Sequence, residues 1–167
     1  MQLESIQLNV NGAMREVAVP EQKLLLDVLR EDLGLTGSKR ACDDSSCGAC
    51  AVLVDGVPML SCVTIASCYQ EVRITTVEGI APTGELTPIQ ESYAAAGGSQ
   101  CGFCTPGFMI SIKALLDRNP HPSDDEIRDA LSSNLCRCTG YMQIYASVRL
   151  AMERIAARAS QTAGTRR

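Results

Sequence analysis

Hydrophobic and polar positions alternate along the first part of the chain and then change period. Residues 3–10 (LESIQLNV) alternate loosely, Asn11-Gly12 supplies a two-residue hairpin turn, and 13–19 (AMREVAV) reads as the return strand, ended by Pro20. Residues 23–33 (KLLLDVLREDL) place Leu25, Val28, Leu29 and Leu33 on one helical face, with Gly34 as a natural stop. A loop containing glycine and cysteine occupies 36–50. Residues 51–54 (AVLV) and 57–62 flank Asp55-Gly56, a second hairpin signal, and 72–77 (VRITTV) reads as a closing strand. This order predicts a small α+β domain with a mixed sheet over 1–78.

The segment 79–85 (GIAPTGE) has the Gly and Pro content of a linker. Beyond it, over 86–159, the period is helical. Thr87-Pro88 and Thr105-Pro106 each pair an N-cap residue with Pro at the first helical position. Phe108, Ile112, Leu115 and Leu116 share a face before Asn119-Pro120 ends that helix. Ser123 to Glu126 forms a capping box ahead of Ile127 and Leu131. A last helix from about Tyr141 carries Ile144, Tyr145, Val148, Met152 and Ile155, and 160–167 (SQTAGTRR) reads as a flexible tail. Four helices predict a small bundle.

Composition narrows the chemistry. With 46% apolar and 20% charged residues over 167 positions, the chain is ordinary globular protein, but aromatics supply only 4%. Two halves of this size have marginal cores of the kind that metals often support. The net charge of −4 and the lack of a basic stripe speak against nucleic acid or anionic membrane as partner. No run is apolar enough to span a membrane, and MQLESIQLNV is no secretory signal, so a cytoplasmic location is expected. There, nine cysteines stay reduced and point to metal rather than disulfides.

Cys42, Cys47, Cys50 and Cys62 follow the spacing C-x4-C-x2-C-x11-C. Thiolates are soft ligands for zinc, copper or iron–sulfur clusters. Structural zinc uses two C-x2-C-like knuckles, and only one close pair exists here. A C-x4-C-x2-C loop with a distant fourth cysteine is the spacing of plant-type 2Fe–2S sites. Gly48 and Ala49 are small enough for backbone N–H groups to approach the sulfurs. In the second group, Cys101-x2-Cys104 and Cys136-x-Cys138 sit at predicted helix starts, where free N–H groups favour an anionic centre. Spacing alone leaves zinc open there.

The motifs QCGFCTPG at 100–107 and NLCRCTGY at 134–141, after CGAC and a DG hairpin, resemble the small iron–sulfur subunit of the molybdenum hydroxylases, the xanthine oxidase family. The likeness covers about 3–158. It implies a ferredoxin-like β-grasp domain followed by a four-helix bundle, each holding one 2Fe–2S cluster. Cys42, Cys47, Cys50 and Cys62 match the ligands of the ferredoxin-type cluster. Cys101, Cys104, Cys136 and Cys138 match those of the bundle cluster, and Gln100 and Cys138 match positions that contact the pterin of the molybdenum cofactor. The resemblance further implies a large partner chain with that cofactor as its cytosine dinucleotide, a medium partner with FAD, and a dimer of heterotrimers. Electrons would pass from molybdenum through the two clusters to FAD or another acceptor, with no catalytic residue on this chain. Two positions depart from the family pattern: Ala41 and Ser133 stand where glycine is usual, which puts the local backbone in question.

Other readings stand beside these. A free two-cluster ferredoxin-type electron carrier is the alternative, although a simple free carrier would need neither the second domain nor Gln100, and a zinc-stabilised interaction protein would hold no iron. Cys68, in IASCY, reads as a buried packing residue. His121 reads as an exposed turn residue, and Met109, Met142 and Met152 as core filler. Asp43 and Asp44 add negative charge beside the first site, and apolar residues on the outer face of 105–118 would serve a partner interface.

Overall fold

The structure is a computed structural model that describes residues 3–42, 44–81 and 84–164. Asp43, linker residues 82–83 and tail residues 165–167 lie outside the described residues.

Five strands form one mixed sheet. Strands β1 (Leu3–Val10) and β2 (Ala13–Pro20) pair antiparallel from Leu3↔Pro20 to Val10↔Ala13. Asn11 and Gly12 take φ of 53° and 79°, the left-handed pair that a two-residue hairpin requires. Strands β3 (Ala51–Val54) and β4 (Val57–Leu60) form the second hairpin around Asp55-Gly56, and β5 (Arg73–Thr75) lies between the hairpins. The order is β2-β1-β5-β3-β4, with β5 parallel to β1 and antiparallel to β3. The Asn11 carboxamide reinforces this crossing, accepting from Thr76 N at 2.9 Å and donating to Thr76 Oγ1 at 3.0 Å.

Helix α1 opens over Leu25–Asp27 and widens into a π turn over Val28–Asp32, a detail that the apolar periodicity of 23–33 did not signal. Gly34, at φ 68°, ends it. Its Leu25, Val28 and Leu29 pack with Ile6, Leu8, Val10, Val52, Val54 and Ile74 into the sheet-domain core. Two further boundaries fall inside those expected. Strand β4 stops at Leu60, because Ser61–Val63 turns into a 3₁₀ turn carrying Cys62, and β5 is only three residues long.

Helices α2 (Pro88–Ala95), α3 (Thr105–Arg118), α4 (Asp124–Leu131) and α5 (Met142–Gly164) form the second layer. The capping boxes at Thr87/Gln90 and Ser123/Glu126 are both formed. Thr105 is not a cap: Cys104 holds that position, and the Thr105 hydroxyl donates to Ser99 Oγ at 3.0 Å. Helix α5 begins after Tyr141 and continues to Gly164, so 160–164 of the expected tail are helical. There the Ser160 hydroxyl returns to Ala156 O at 3.0 Å.

The two layers share a core through β3. All four of its residues are buried, and their alternation divides them. Val52 and Val54 face the sheet-domain core, whereas Ala51 and Leu53 pack with Phe108, Ile112 and Leu115 of the bundle. Ile80, expected in the linker, is buried in the same bundle core at the end of a 3₁₀ turn. Helix α3 is enclosed over Gly107–Ile112 and again at Leu115 and Leu116. It therefore has no outer apolar face to offer a partner, contrary to the expectation for 105–118.

At Gly107 the two layers approach closely. A Cβ there would sit 2.3 Å from Gly48 O and 2.9 Å from Asn134 Nδ2. The first obstacle is backbone and cannot swing aside, so Gly107→Ala is expected to destabilise the chain by about 1–3 kcal/mol. Chemical denaturation of the purified protein measures this, and an unchanged midpoint would contradict the packing described.

Candidate metal centres

Eight of the nine cysteines gather into two quartets, and all nine are free thiols. The loop leading to the first quartet is held by α1. Arg30 donates to Thr36 O at 2.8 Å and Ser38 O at 2.7 Å, and Arg40 pairs with Asp27. Asp44 accepts from Ser46 N and Oγ, a local turn that opens the loop just before Cys47. Cys47, Cys50 and Cys62 are buried and Cys42 is half-buried.

Within this quartet the thiols contact in pairs. Cys42 lies beside Cys47 and Cys50 beside Cys62, while charge on Cys42 reaches Cys62 and charge on Cys62 reaches Cys47. Burial, with Cys50 next, pushes the Cys62 thiol up to about 11. Burial also raises Cys47, whereas hydrogen bonding from Cys47 lowers Cys42. In the second quartet Cys104 pairs with Cys136 and Cys101 with Cys138. Burial, then Cys136, lifts Cys104 to about 12. Burial pulls Cys136 upward too, but Thr139 and the N–H groups of Thr139 and Cys138 outweigh it and leave that thiol below its usual value. Cys104 and Cys136 are half-buried; Cys101 and Cys138 are exposed on the surface that also carries exposed Gln100.

Paired thiols are the donor set for a centre with two metal atoms, two ligands to each. Among the described residues no three His, Cys, Asp or Glu side chains converge as a single ion requires. Both quartets fit a diiron cluster by this chemistry.

The quartets meet through their own loops. Leu135 N donates to Cys47 O at 3.0 Å, one peptide away from Cys136. Asn134, only 2% exposed, donates from Nδ2 to Gly48 O at 3.1 Å and accepts from Ser111 Oγ at 2.7 Å. Gly48, at φ 69°, has no room for a Cβ, which would lie 2.3 Å from Ser133 O. A cavity of about 150 Å³ between the loops is lined by Cys47, Ala49, Cys101, Cys104, Phe103 and Cys138, among others. Tyr141, at φ 67°, bridges the second loop: its hydroxyl accepts from Cys136 N at 3.0 Å and donates to Asn134 O at 3.3 Å. Its ring packs edge-on to Phe108 and stacks with Tyr145.

Ala41 and Ser133 both keep φ outside the left-handed region, so neither needs glycine. Cys68 is exposed, not buried: Ala66, at 0%, takes the inward place in that 3₁₀ turn. Met142 is 69% exposed rather than core, because it opens α5 beside the loop, while Met109 is buried and His121 exposed. Sequence reading missed Asn134, Ser111 and Gly107. Their signal was a polar run, Ser132 to Asn134, between Leu131 and Leu135, and two small residues inside an apolar helix.

Residues 8–69 match the family described as 2Fe-2S iron-sulfur cluster binding domain, and residues 76–149 match the 2Fe-2S binding domain. The chain is thus a protein of two 2Fe–2S domains. It is 49% identical to the nicotinate dehydrogenase small FeS subunit of Eubacterium barkeri, over 91% of this chain and 97% of that one. It is 44% identical to the aldehyde oxidoreductase of Megalodesulfovibrio gigas, over 84% of this chain but 16% of that much longer one. Among solved structures, quinoline 2-oxidoreductase from Pseudomonas putida 86 superposes with a TM-score of 0.88 at 42% identity, covering 95% of this chain and 98% of that one. The chain belongs to the small iron–sulfur subunits of the molybdenum hydroxylase family, and its role is electron transfer within a dehydrogenase complex. No helix among the described residues is long and apolar enough to cross a membrane.

The thiol electrostatics give an order of reactivity, since the thiolate is the nucleophile. In the cluster-free chain at pH 7.5, iodoacetamide is expected to modify Cys42 and Cys136 before Cys62 and Cys104. Peptide mapping by mass spectrometry reads the order, and the reverse order would contradict it.

Proposed function

We propose that Cys42, Cys47, Cys50 and Cys62 hold one 2Fe–2S cluster, that Cys101, Cys104, Cys136 and Cys138 hold the other, and that this chain carries electrons between a molybdenum subunit and an acceptor. The observation that carries the reading is the pairwise contact of thiols in each quartet. Each cluster, when bound, accepts and releases one electron. The chain's residues bury the inner thiols, aim N–H groups at the site and set the two loops in contact.

Exposure supports a direction. Gln100, Cys101 and Cys138 open onto one surface beside exposed Phe103, Leu135 and Met142, an apolar rim suited to a partner protein. We place the molybdenum-pterin subunit there, with the Gln100 amide able to donate to and accept from a pterin edge. The Cys47 O to Leu135 N hydrogen bond offers a short route from this quartet to the other. Val63 and Ile65, exposed beside Cys62, would face the acceptor, for which we propose an FAD subunit. The cytosine-dinucleotide form of the cofactor, a dimer of heterotrimers and a cytoplasmic location complete the proposal.

Metal analysis of the purified complex tests the ligand sets. About four irons per copy of this chain and negligible zinc are expected. Cys62→Ala is expected to lose half of that iron and to destabilise the sheet domain, since metal binding and folding are linked. Cys68→Ala retains all iron; loss of iron there would overturn the assignment. Gln100→Ala keeps both clusters but slows their reduction by substrate in stopped-flow absorbance, and an unchanged rate would remove Gln100 from the proposed interface.

A further inference from the structure

Tyr93 is 1% exposed, and its hydroxyl has no hydrogen-bond partner. The Thr105 hydroxyl lies nearby but gives its proton to Ser99 Oγ and forms no hydrogen bond of good geometry with the phenol. A buried hydroxyl without a partner is costly, so its presence calls for an acceptor that the polypeptide does not itself provide.

The surroundings identify that acceptor. Tyr93 lies on the inner face of α2 in the bundle core, and Cys104 and Cys136 pack against the same core. One edge of its ring rests on Gly98, where a Cβ would come within 2.9 Å of Cδ1 and Cε1. The ring is therefore fixed beneath the loop that leads to Cys101. The charges that act on the phenol are those of Cys104 and Cys136, the two inner thiols of the bundle quartet. A phenol is neutral at pH 7 and is therefore a hydrogen-bond donor.

We infer that the Tyr93 hydroxyl donates a hydrogen bond to a sulfur of the bundle cluster and thereby raises that cluster's potential above the value its four thiolates alone would give. The inference rests on the ligand assignment proposed above for this quartet. Reduction adds negative charge to the sulfurs, and a donor stabilises the more negative state more strongly. A raised potential at the cluster proposed to face molybdenum would favour the first electron transfer out of the cofactor site.

Tyr93→Phe isolates the effect, because it keeps the ring and removes only a hydroxyl that makes no well-formed hydrogen bond within the chain. The experiment is a redox titration of the holo-complex followed by EPR, with iron determined on the same samples. In Tyr93→Phe, reduction of one cluster becomes about tenfold less favourable, a downward shift of about 59 mV for a one-electron couple. The other cluster keeps its potential, and iron stays at the wild-type level. A variant with neither potential changed overturns the inference and assigns the hydroxyl to a buried water. So does an equal shift of both clusters. Loss of iron from one centre overturns it as well, since a hydrogen bond tunes a cluster that four thiolates hold. Wild-type complex lacking two distinct cluster signals would instead overturn the ligand assignment itself.

Discussion

The carboxamide of Asn134 sets the position of both cysteine loops. Its Nδ2 donates to the carbonyl of Gly48 in the sheet domain, and its Oδ1 receives the Ser111 hydroxyl of α3. Its backbone N donates to Leu131 O at the end of α4, and its carbonyl accepts from Tyr141 at the start of α5. A buried amide with both ends satisfied fixes orientation as well as energy, because any displacement leaves polar groups unpaired. The loop before Cys50 and the loop before Cys136 are therefore held in one frame. Gly48 and Gly107 make that frame possible, since each lies where a side chain would meet backbone.

From this contact the rest of the architecture follows. A sheet domain of this size, with Tyr69 as its one aromatic residue, has a modest core of its own. Sharing β3 between both cores gives each half apolar area that it could not bury alone. The same shared strand starts immediately after Cys50, so packing that joins the domains also positions a thiol. Rigid placement suits electron transfer, which needs fixed spacing between centres and little rearrangement when charge moves.

Much of this was legible in the chain. The two hairpins were readable because Asn11-Gly12 and Asp55-Gly56 supply the positive φ that the turns demand. The capping boxes at Thr87 and Ser123 were readable because both of their hydrogen bonds are local. The thiol quartets came from spacing and from resemblance together. What was hidden depended on distant partners. Cys104 displaced Thr105 as the cap, and Thr105 instead bonds Ser99. The enclosure of α3 over Gly107–Ile112 and at Leu115 owes much to β3, more than fifty positions earlier, which no periodicity within α3 reports. Cys68 looked like a core residue by type, yet in the tight turn at Ala66–Tyr69 it is Ala66 and, in part, Tyr69 that face the core.

The central claim is that two diiron centres occupy one rigid frame and lie close enough to sense each other. EPR of the fully dithionite-reduced complex tests it most directly. Two distinct rhombic signals, each integrating to one spin per chain and broadened or split by mutual interaction at low temperature, are the predicted result. A single iron–sulfur signal integrating to one spin, or two signals with no trace of interaction, would contradict it.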